Sequence, residues 1–172
     1  MTNSLDWIEK TTDIPAGGLE RAREATVDEL KHVAKALDIL DVSSFSARYR
    51  IAAISAGGYR LTGSIAARVE QACVVSLEPV SGNVNAAFTV EFWPNLKAGE
   101  SDEEKSILSG TDVELLEHGV IPVGRVVFET LSASLDPYPR RDGAEFTWQD
   151  PKADTPGATN PFAALSKLNN KD

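Results

Sequence analysis

Residues 45–69 read FSARYRIAAISAGGYRLTGSIAARV, and this stretch decides the fold of the chain. Apolar and polar side chains alternate on both sides of a turn at residues 55–58, as they do in strands with one covered face. Tyr49 and Tyr59 fall in the apolar set. The alternation continues from Val84 to Phe92, so the sequence predicts an antiparallel β-meander of at least three strands.

Two helices are predicted on either side of this meander. Residues 26–29 have the spacing of a capping box, and apolar side chains then recur at helical intervals from Val27 to Leu37. The second helix opens at Pro122 and carries an apolar stripe as far as Leu135. A short strand is expected within residues 6–14 and another over residues 112–116.

The predicted fold class is α+β: an antiparallel sheet with two helices packed on its apolar face. One domain is expected over residues 1–147, followed by a flexible linker at 148–159 and a short helical motif at 160–172. Residues 94–110 are polar and acidic, which favours a flexible loop. In the terminal motif Asn160 and Pro161 suit a helix start, and Phe162, Leu165 and Leu168 lie near one helical face. This face is predicted to bind a partner, with packing on the domain itself as the alternative.

Composition bounds the class of protein. The chain has 172 residues, a formal net charge of −9 and one cysteine, so no internal disulfide can form. No run approaches the roughly 18 apolar residues of a membrane span, and the first ten residues lack the features of an export signal. A cytoplasmic, monomeric protein is the expectation.

No catalytic or metal-binding pattern is evident. Cys73 lies at the end of a predicted strand and is predicted to be a small buried residue. Ser76 stands where a Cys-x-x-Cys pair would have its second thiol, which argues against a zinc site. His32 and His118 are expected at the surface. Phosphate loops and nucleophile elbows are absent. We therefore expect no catalytic residues, no metal and no cofactor.

One charge pattern does suggest binding. Between Asp41 and Glu70 the chain has no acidic residue, and the polar side of the hairpin there carries four arginines: Arg48, Arg50, Arg60 and Arg68. Such a face could hold a phosphate backbone, although a solvated face paired with carboxylates explains the pattern equally well. Base-stacking aromatics are not expected on this face.

Three short motifs carry a family resemblance. They are QACVVSLEP at residues 71–79, LDPYPR at 135–140 and NPFA at 160–163. In this order and spacing they resemble the YceD family of large ribosomal RNA subunit accumulation proteins, in its alphaproteobacterial branch. The residues that carry the resemblance are Cys73, Pro79, Asp136, Pro137, Tyr138, Pro139, Asn160 and Pro161. Many relatives have Cys-x-x-Cys where this chain has Ser76, so no role of that pair transfers to Cys73.

The resemblance implies a role in accumulation of the large-subunit ribosomal RNA, with no enzymatic activity. Two mechanisms remain open. In the first, the hairpin arginines bind ribosomal RNA. In the second, the protein is an acidic escort for a basic large-subunit ribosomal protein, gripping it through residues 100–117 and the terminal motif. The segment 136–140 is expected to leave the second helix rigidly, with Tyr138 packing back onto the domain.

Overall fold

The computed structural model describes residues 5–95 and 111–146. Within these ranges the chain forms seven strands and two α-helices. In chain order they are β1 (Glu9–Lys10), β2 (Leu19–Glu24), α1 (Val27–Ala36), β3 (Asp41–Ala53), β4 (Tyr59–Ala72), β5 (Pro79–Trp93), β6 (Asp112–Leu115), β7 (Val120–Ile121) and α2 (Val123–Ser134). The acidic loop beyond residue 95, the linker and the terminal motif lie outside the described residues.

The main sheet has the strand order β2-β3-β4-β5-β6, and β1 pairs with β7 in a separate two-stranded sheet. Strands β2 to β5 form an antiparallel meander, whereas β6 runs parallel to β5. The predicted hairpin is present, with Tyr49 opposite Gly63, and Gly63 in turn opposite Phe88. The α+β class is therefore confirmed, with a sheet that is antiparallel except at β6.

One face of this sheet forms the core. The inward side chains of β3, β4 and β5 are buried beneath the two helices and the chain at residues 5–7, and Trp7 stacks on Phe45 with ring centroids 6.1 Å apart. The amide of Gly124 donates to the carbonyl of Trp7 at 2.7 Å. This contact holds the N-terminal chain directly against the first turn of α2, where Gly124 has no side chain to keep it away.

Helix α1 begins as predicted. The Thr26 hydroxyl accepts from the Glu29 amide, and the Glu29 carboxylate accepts from the Thr26 amide at 2.8 Å, which completes the capping box. The prediction was wrong for Val27, which is 68% exposed, because the middle of the helix, at Val33 and Ala34, makes the buried contact. Helix α2 starts one residue after Pro122, and its apolar stripe is buried as expected.

Strand β2 has no counterpart among the elements predicted from the sequence. Its residues, Leu-Glu-Arg-Ala-Arg-Glu, show no apolar alternation because the side that faces inward carries Arg21 and Arg23. Both arginines pair with Glu9, a carboxylate that is only 4% exposed, at 3.6 and 3.1 Å. The Tyr49 hydroxyl also donates to Glu9, at 2.6 Å. A buried charge thus replaces the apolar side chains that a strand pattern would need.

A smaller difference concerns the N-terminal strand. The strand expected within residues 6–14 is limited to the two residues of β1. Across residues 5–95 and 111–146, no helix is long and apolar enough to cross a membrane.

Candidate functional site: the open sheet face and the Cys73 turn

The four predicted arginines lie on one face of the main sheet, opposite the core. Paired residues of neighbouring strands point to the same side, and the register places Arg48 beside Ser64, Arg50 beside Thr62, Arg60 beside Ala52 and Arg68 beside Ser44. All four side chains are exposed. We call this surface the open face.

Three of the four arginines have partners on the open face. Arg50 pairs with Glu20 at 3.1 Å, and Arg60 pairs with Glu91 at 2.7 Å. Arg68 donates a long hydrogen bond to the Asn83 side-chain oxygen, at 3.4 Å. The pair of Arg50 with Glu20 is exposed on both sides and contributes about 1 kcal/mol or less, so a phosphate can replace that carboxylate at low energetic cost. Glu91, in contrast, is only 15% exposed.

Arg48 differs from the other three. Among the described residues it makes no hydrogen bond or ion pair, and its neighbours in the same row are Ala22, Ser64 and Ala87. Shallow grooves of about 510 and 500 Å³ flank it on the two sides. Because these neighbours are small and uncharged, they leave the guanidinium open to an anion from solvent.

One aromatic side chain on the open face was missed. Tyr49 and Tyr59 point inward as expected, Tyr49 buried and Tyr59 packed against the core. Trp93, however, follows the buried Phe92 and points to the same side as Glu91, to which its indole N–H donates at 3.2 Å. The corner of the face at Arg60 therefore has one ring within reach. The sequence did contain a signal for Trp93. It directly follows Phe92, the last apolar position of β5, and neighbouring residues of a strand point to opposite sides.

Cys73 lies directly after β4, in a tight turn that leads to Pro79 at the start of β5. Its amide donates to the Glu78 carbonyl at 2.8 Å, and its carbonyl accepts from the Leu77 amide at 2.9 Å. The side chain is fully buried, as predicted. Three backbone amides, those of Val75, Ser76 and Arg141, donate to its Sγ at 3.4 Å each.

The turn brings together two of the three motifs that carry the resemblance. The Val74 amide donates to the Pro139 carbonyl at 2.9 Å, and the Gln71 side chain donates to the Asp136 carbonyl at 3.0 Å. Arg141 forms an ion pair with Glu78 across the same contact. Residues 71–79 and 135–141 therefore form one structural unit at the end of the sheet.

The prediction that Tyr138 packs back onto the domain was wrong, since its side chain is 74% exposed. The Asp136 carboxylate accepts from the Tyr138 amide at 2.9 Å and closes a local turn. Pro139 is buried in its place. The neighbouring Pro137 is exposed. The buried contact of this segment is thus a proline ring and not the tyrosine.

The hydrogen bonds to Sγ give Cys73 an unusual acidity, which a titration can test. The Ser76 hydroxyl, followed by the three amides, lowers the pKa of the Cys73 thiol to about 6, although burial opposes the shift. Thiolate absorbance at 240 nm should therefore rise around pH 6, against roughly 8.5 for a free cysteine. Because the pKa in the folded protein is the lower one, this group stabilises the fold at alkaline pH and the contribution fades as pH falls through 6.

Two variants control this titration. Cys73→Ser should abolish the absorbance change near pH 6, and Ser76→Ala should move the midpoint upward because the largest stabilising contact is lost. A midpoint that stays near the free-cysteine value in the native protein would contradict the hydrogen-bonding account.

The remaining predicted site residues all belong to the terminal motif. Within the described ranges, no three side chains of His, Cys, Asp or Glu are grouped so as to hold a metal ion. Asn160, Pro161, Phe162, Leu165 and Leu168 lie outside the described residues.

The structure defines an α+β domain with a polar, arginine-bearing sheet face. Comparisons of the chain with models of known families, with curated proteins and with solved structures find no match.

Proposed function

We propose that this protein is a non-enzymatic ribosome-biogenesis factor that supports accumulation of the large-subunit ribosomal RNA and binds that RNA through the open face. The resemblance of residues 71–79, 135–140 and 160–163 to the YceD family supplies the process. The observation that carries the binding surface is Arg48, an exposed guanidinium without a partner among the described residues, centred on a floor of small uncharged side chains.

The chemistry of the open face suits a phosphate backbone. A guanidinium donates in a fork that matches phosphate oxygens. Arg50 can exchange its exposed carboxylate partner, Glu20, for a phosphate, and Arg60 is itself half exposed beside Glu91. Readout of base sequence is not part of the proposal, because Trp93 is the one aromatic side chain identified on this side of the described strands. With a net charge of −9 the protein attracts RNA only locally.

A salt titration of RNA binding tests the proposal. If all four arginines contact phosphates of single-stranded RNA, the log-log slope of affinity against salt should be about −3. Changing Arg48, Arg50, Arg60 and Arg68 to Gln should remove this slope and most of the affinity. Binding to large-subunit ribosomal RNA fragments is measured by filter retention or fluorescence anisotropy.

The matched control replaces four exposed cations elsewhere with Gln: Lys10, Lys31, Lys35 and Arg140. Both variants lose four positive charges, so each changes the net charge from −9 to −13. RNA affinity that survives in the control but not in the face variant supports the proposal. Equal losses in the two variants, or no RNA binding by the native protein, would sink it.

A second candidate function is an acidic escort for a basic large-subunit ribosomal protein. The net charge of −9 favours it, as does the acidic composition of residues 100–117, of which residues 100–110 lie outside the described ranges. The same two variants distinguish the candidates when titrated with purified basic ribosomal proteins. Binding that is unaffected by the arginine changes and lost on deletion of residues 160–172 would favour the escort.

A further inference from the structure

The outer edge of β5 is open over most of its length. On one side β5 pairs with β4 without interruption from Pro79 to Phe92. On the other side β6 pairs only with residues 90–93. Along residues 80–89, therefore, no strand in the described part of the chain covers this edge, and the backbone groups that point outward there are available for hydrogen bonds.

This edge lacks the usual protection against a further strand. Exposed edges are normally blunted by charged side chains, proline or a β-bulge, because an unpaired ladder is a template for another chain. Residues 81–89 read SGNVNAAFT and contain neither a charged residue nor a proline. The pairing of β5 with β4 shows no bulge in this stretch. The edge is thus long, regular and uncharged.

Space for an added strand lies beside the edge. A groove of about 600 Å³ runs between residues 87–90 of β5 and helix α2. The helix side of the groove includes the short side chains of Thr130, Ala133 and Ser134. A strand paired with residues 81–89 would lie on the same side of β5 as β6, and its part beside residues 87–89 would bury inward side chains against α2.

The charges around this groove indicate the chemistry of the occupant. Asp112, Glu114 and Glu129 line it. Arg125 contacts both Glu114 and Glu129, and Asp112 makes no ion pair among the described residues. Three carboxylates against one guanidinium leave the groove acidic. We infer that the outer edge of β5 receives an extended lysine- or arginine-rich segment of a partner protein as an added strand.

This inference is independent of RNA binding, which uses the opposite side of the sheet from α2. Its test uses the full chain and a fluorescein-labelled nine-residue peptide of alternating lysine and valine. We expect saturable binding that slows hydrogen exchange of the amides in residues 81–89. Two further peptides, N-methylated at the valines or at the lysines, remove one set of backbone donors each. In an added strand only alternate backbone amides face the edge of β5, either those of the valines or those of the lysines. The peptide that lacks these amide hydrogens should therefore bind about tenfold more weakly.

Paired charge variants test the acidic groove. Asp112→Lys with Glu129→Lys should weaken peptide binding about tenfold, the size expected when two rim charges are reversed. Asp41→Lys with Glu24→Lys is the matched control on exposed positions away from the groove, and each pair changes the net charge from −9 to −5. Equal weakening in both variants would show general attraction and overturn the inference.

Three other results would also overturn it. The first is undiminished binding of both N-methylated peptides. The second is protection of residues 81–89 in the free monomer, which would mean that the chain covers its own edge. The third is a dimer in sedimentation experiments whose formation protects the same amides, because the occupant would then be a second copy.

Discussion

Replacing Glu9 by alanine is expected to lower the free energy of unfolding by about 3 kcal/mol, near the lower end of the range for breaking a buried ion pair. Glu9 is 4% exposed and accepts from Tyr49 and Arg23, with Arg21 3.6 Å away. Its loss leaves the Tyr49 hydroxyl without its closest partner and removes the counter-charge of two inward-facing arginines. The estimate is at the lower end because Arg23 and Arg21 are 33% and 44% exposed, and water screens them in part.

Urea unfolding of three variants, Glu9→Ala, Glu9→Gln and Glu20→Ala, each compared with the native protein, measures this effect. Glu9→Gln keeps a side-chain oxygen for Tyr49 and should cost less than the alanine change. Glu20→Ala breaks the exposed ion pair with Arg50 between β2 and β3. It should lower the free energy of unfolding by about 1 kcal/mol or less. Similar losses for Glu9→Ala and Glu20→Ala would show that the buried cluster does not stabilise the fold.

The Tyr49 phenol reports on the same cluster. Burial, followed by the hydrogen bond to Glu9, raises its pKa to about 12. In Glu9→Gln the phenolate absorbance should appear at lower pH than in the native protein. Because the folded pKa is the higher one, the neutral phenol stabilises the fold below pH 10, and this contribution is lost as pH rises through 12.

The second large effect is expected at Gly63. This residue faces inward on β4 between Tyr49 and Phe88, and a Cβ there would overlap the carbonyl oxygen of Arg48 and the ring of Phe88. Gly63→Ala should therefore destabilise the protein by about 3 kcal/mol, the upper end for overpacking, because a backbone carbonyl cannot rotate away as a side chain can. Thermal or urea unfolding provides the measurement.

Gly82 supplies the matched control for Gly63. It is also a strand glycine, on β5, but a Cβ there would meet only a methyl group of Val69 at an ordinary 3.7 Å. Gly82→Ala should be neutral or stabilising by up to about 1 kcal/mol, because alanine reduces the freedom of the unfolded chain. If the two substitutions changed the free energy of unfolding equally, steric overlap at Gly63 would not be the cause.

Local pattern predicted the elements whose apolar side chains alone define a buried face. The hairpin of β3 and β4, most of β5, the capping box of α1 and the buried stripe of α2 all belong to this group. Strand β2 does not, because Arg21 and Arg23 are held inward by a carboxylate ten or more residues earlier in the chain. Alternation within β2 cannot predict that contact, because the carboxylate lies outside the strand.

The candidate sites divide in the same way. Alternation alone places the four arginines together on the polar side of one hairpin. Their partners come from other strands: Glu20 on β2, and Glu91 and Asn83 on β5. Only the strand order identifies Arg48 as the one that has no hydrogen bond or ion pair among the described residues. The contact between the Cys73 turn and residues 136–141 spans more than sixty positions and had no local signal.

The sequence by itself determined the secondary structure with an apolar period and the polar face of the hairpin, because both depend on neighbours along the chain. Tertiary structure decided which charges are neutralised, which backbone amides donate to the Cys73 thiol and which strand edge stays open. These properties depend on how close in space the fold brings residues that are far apart in sequence. Electrostatic and hydrogen-bond energies fall steeply as that spatial distance grows.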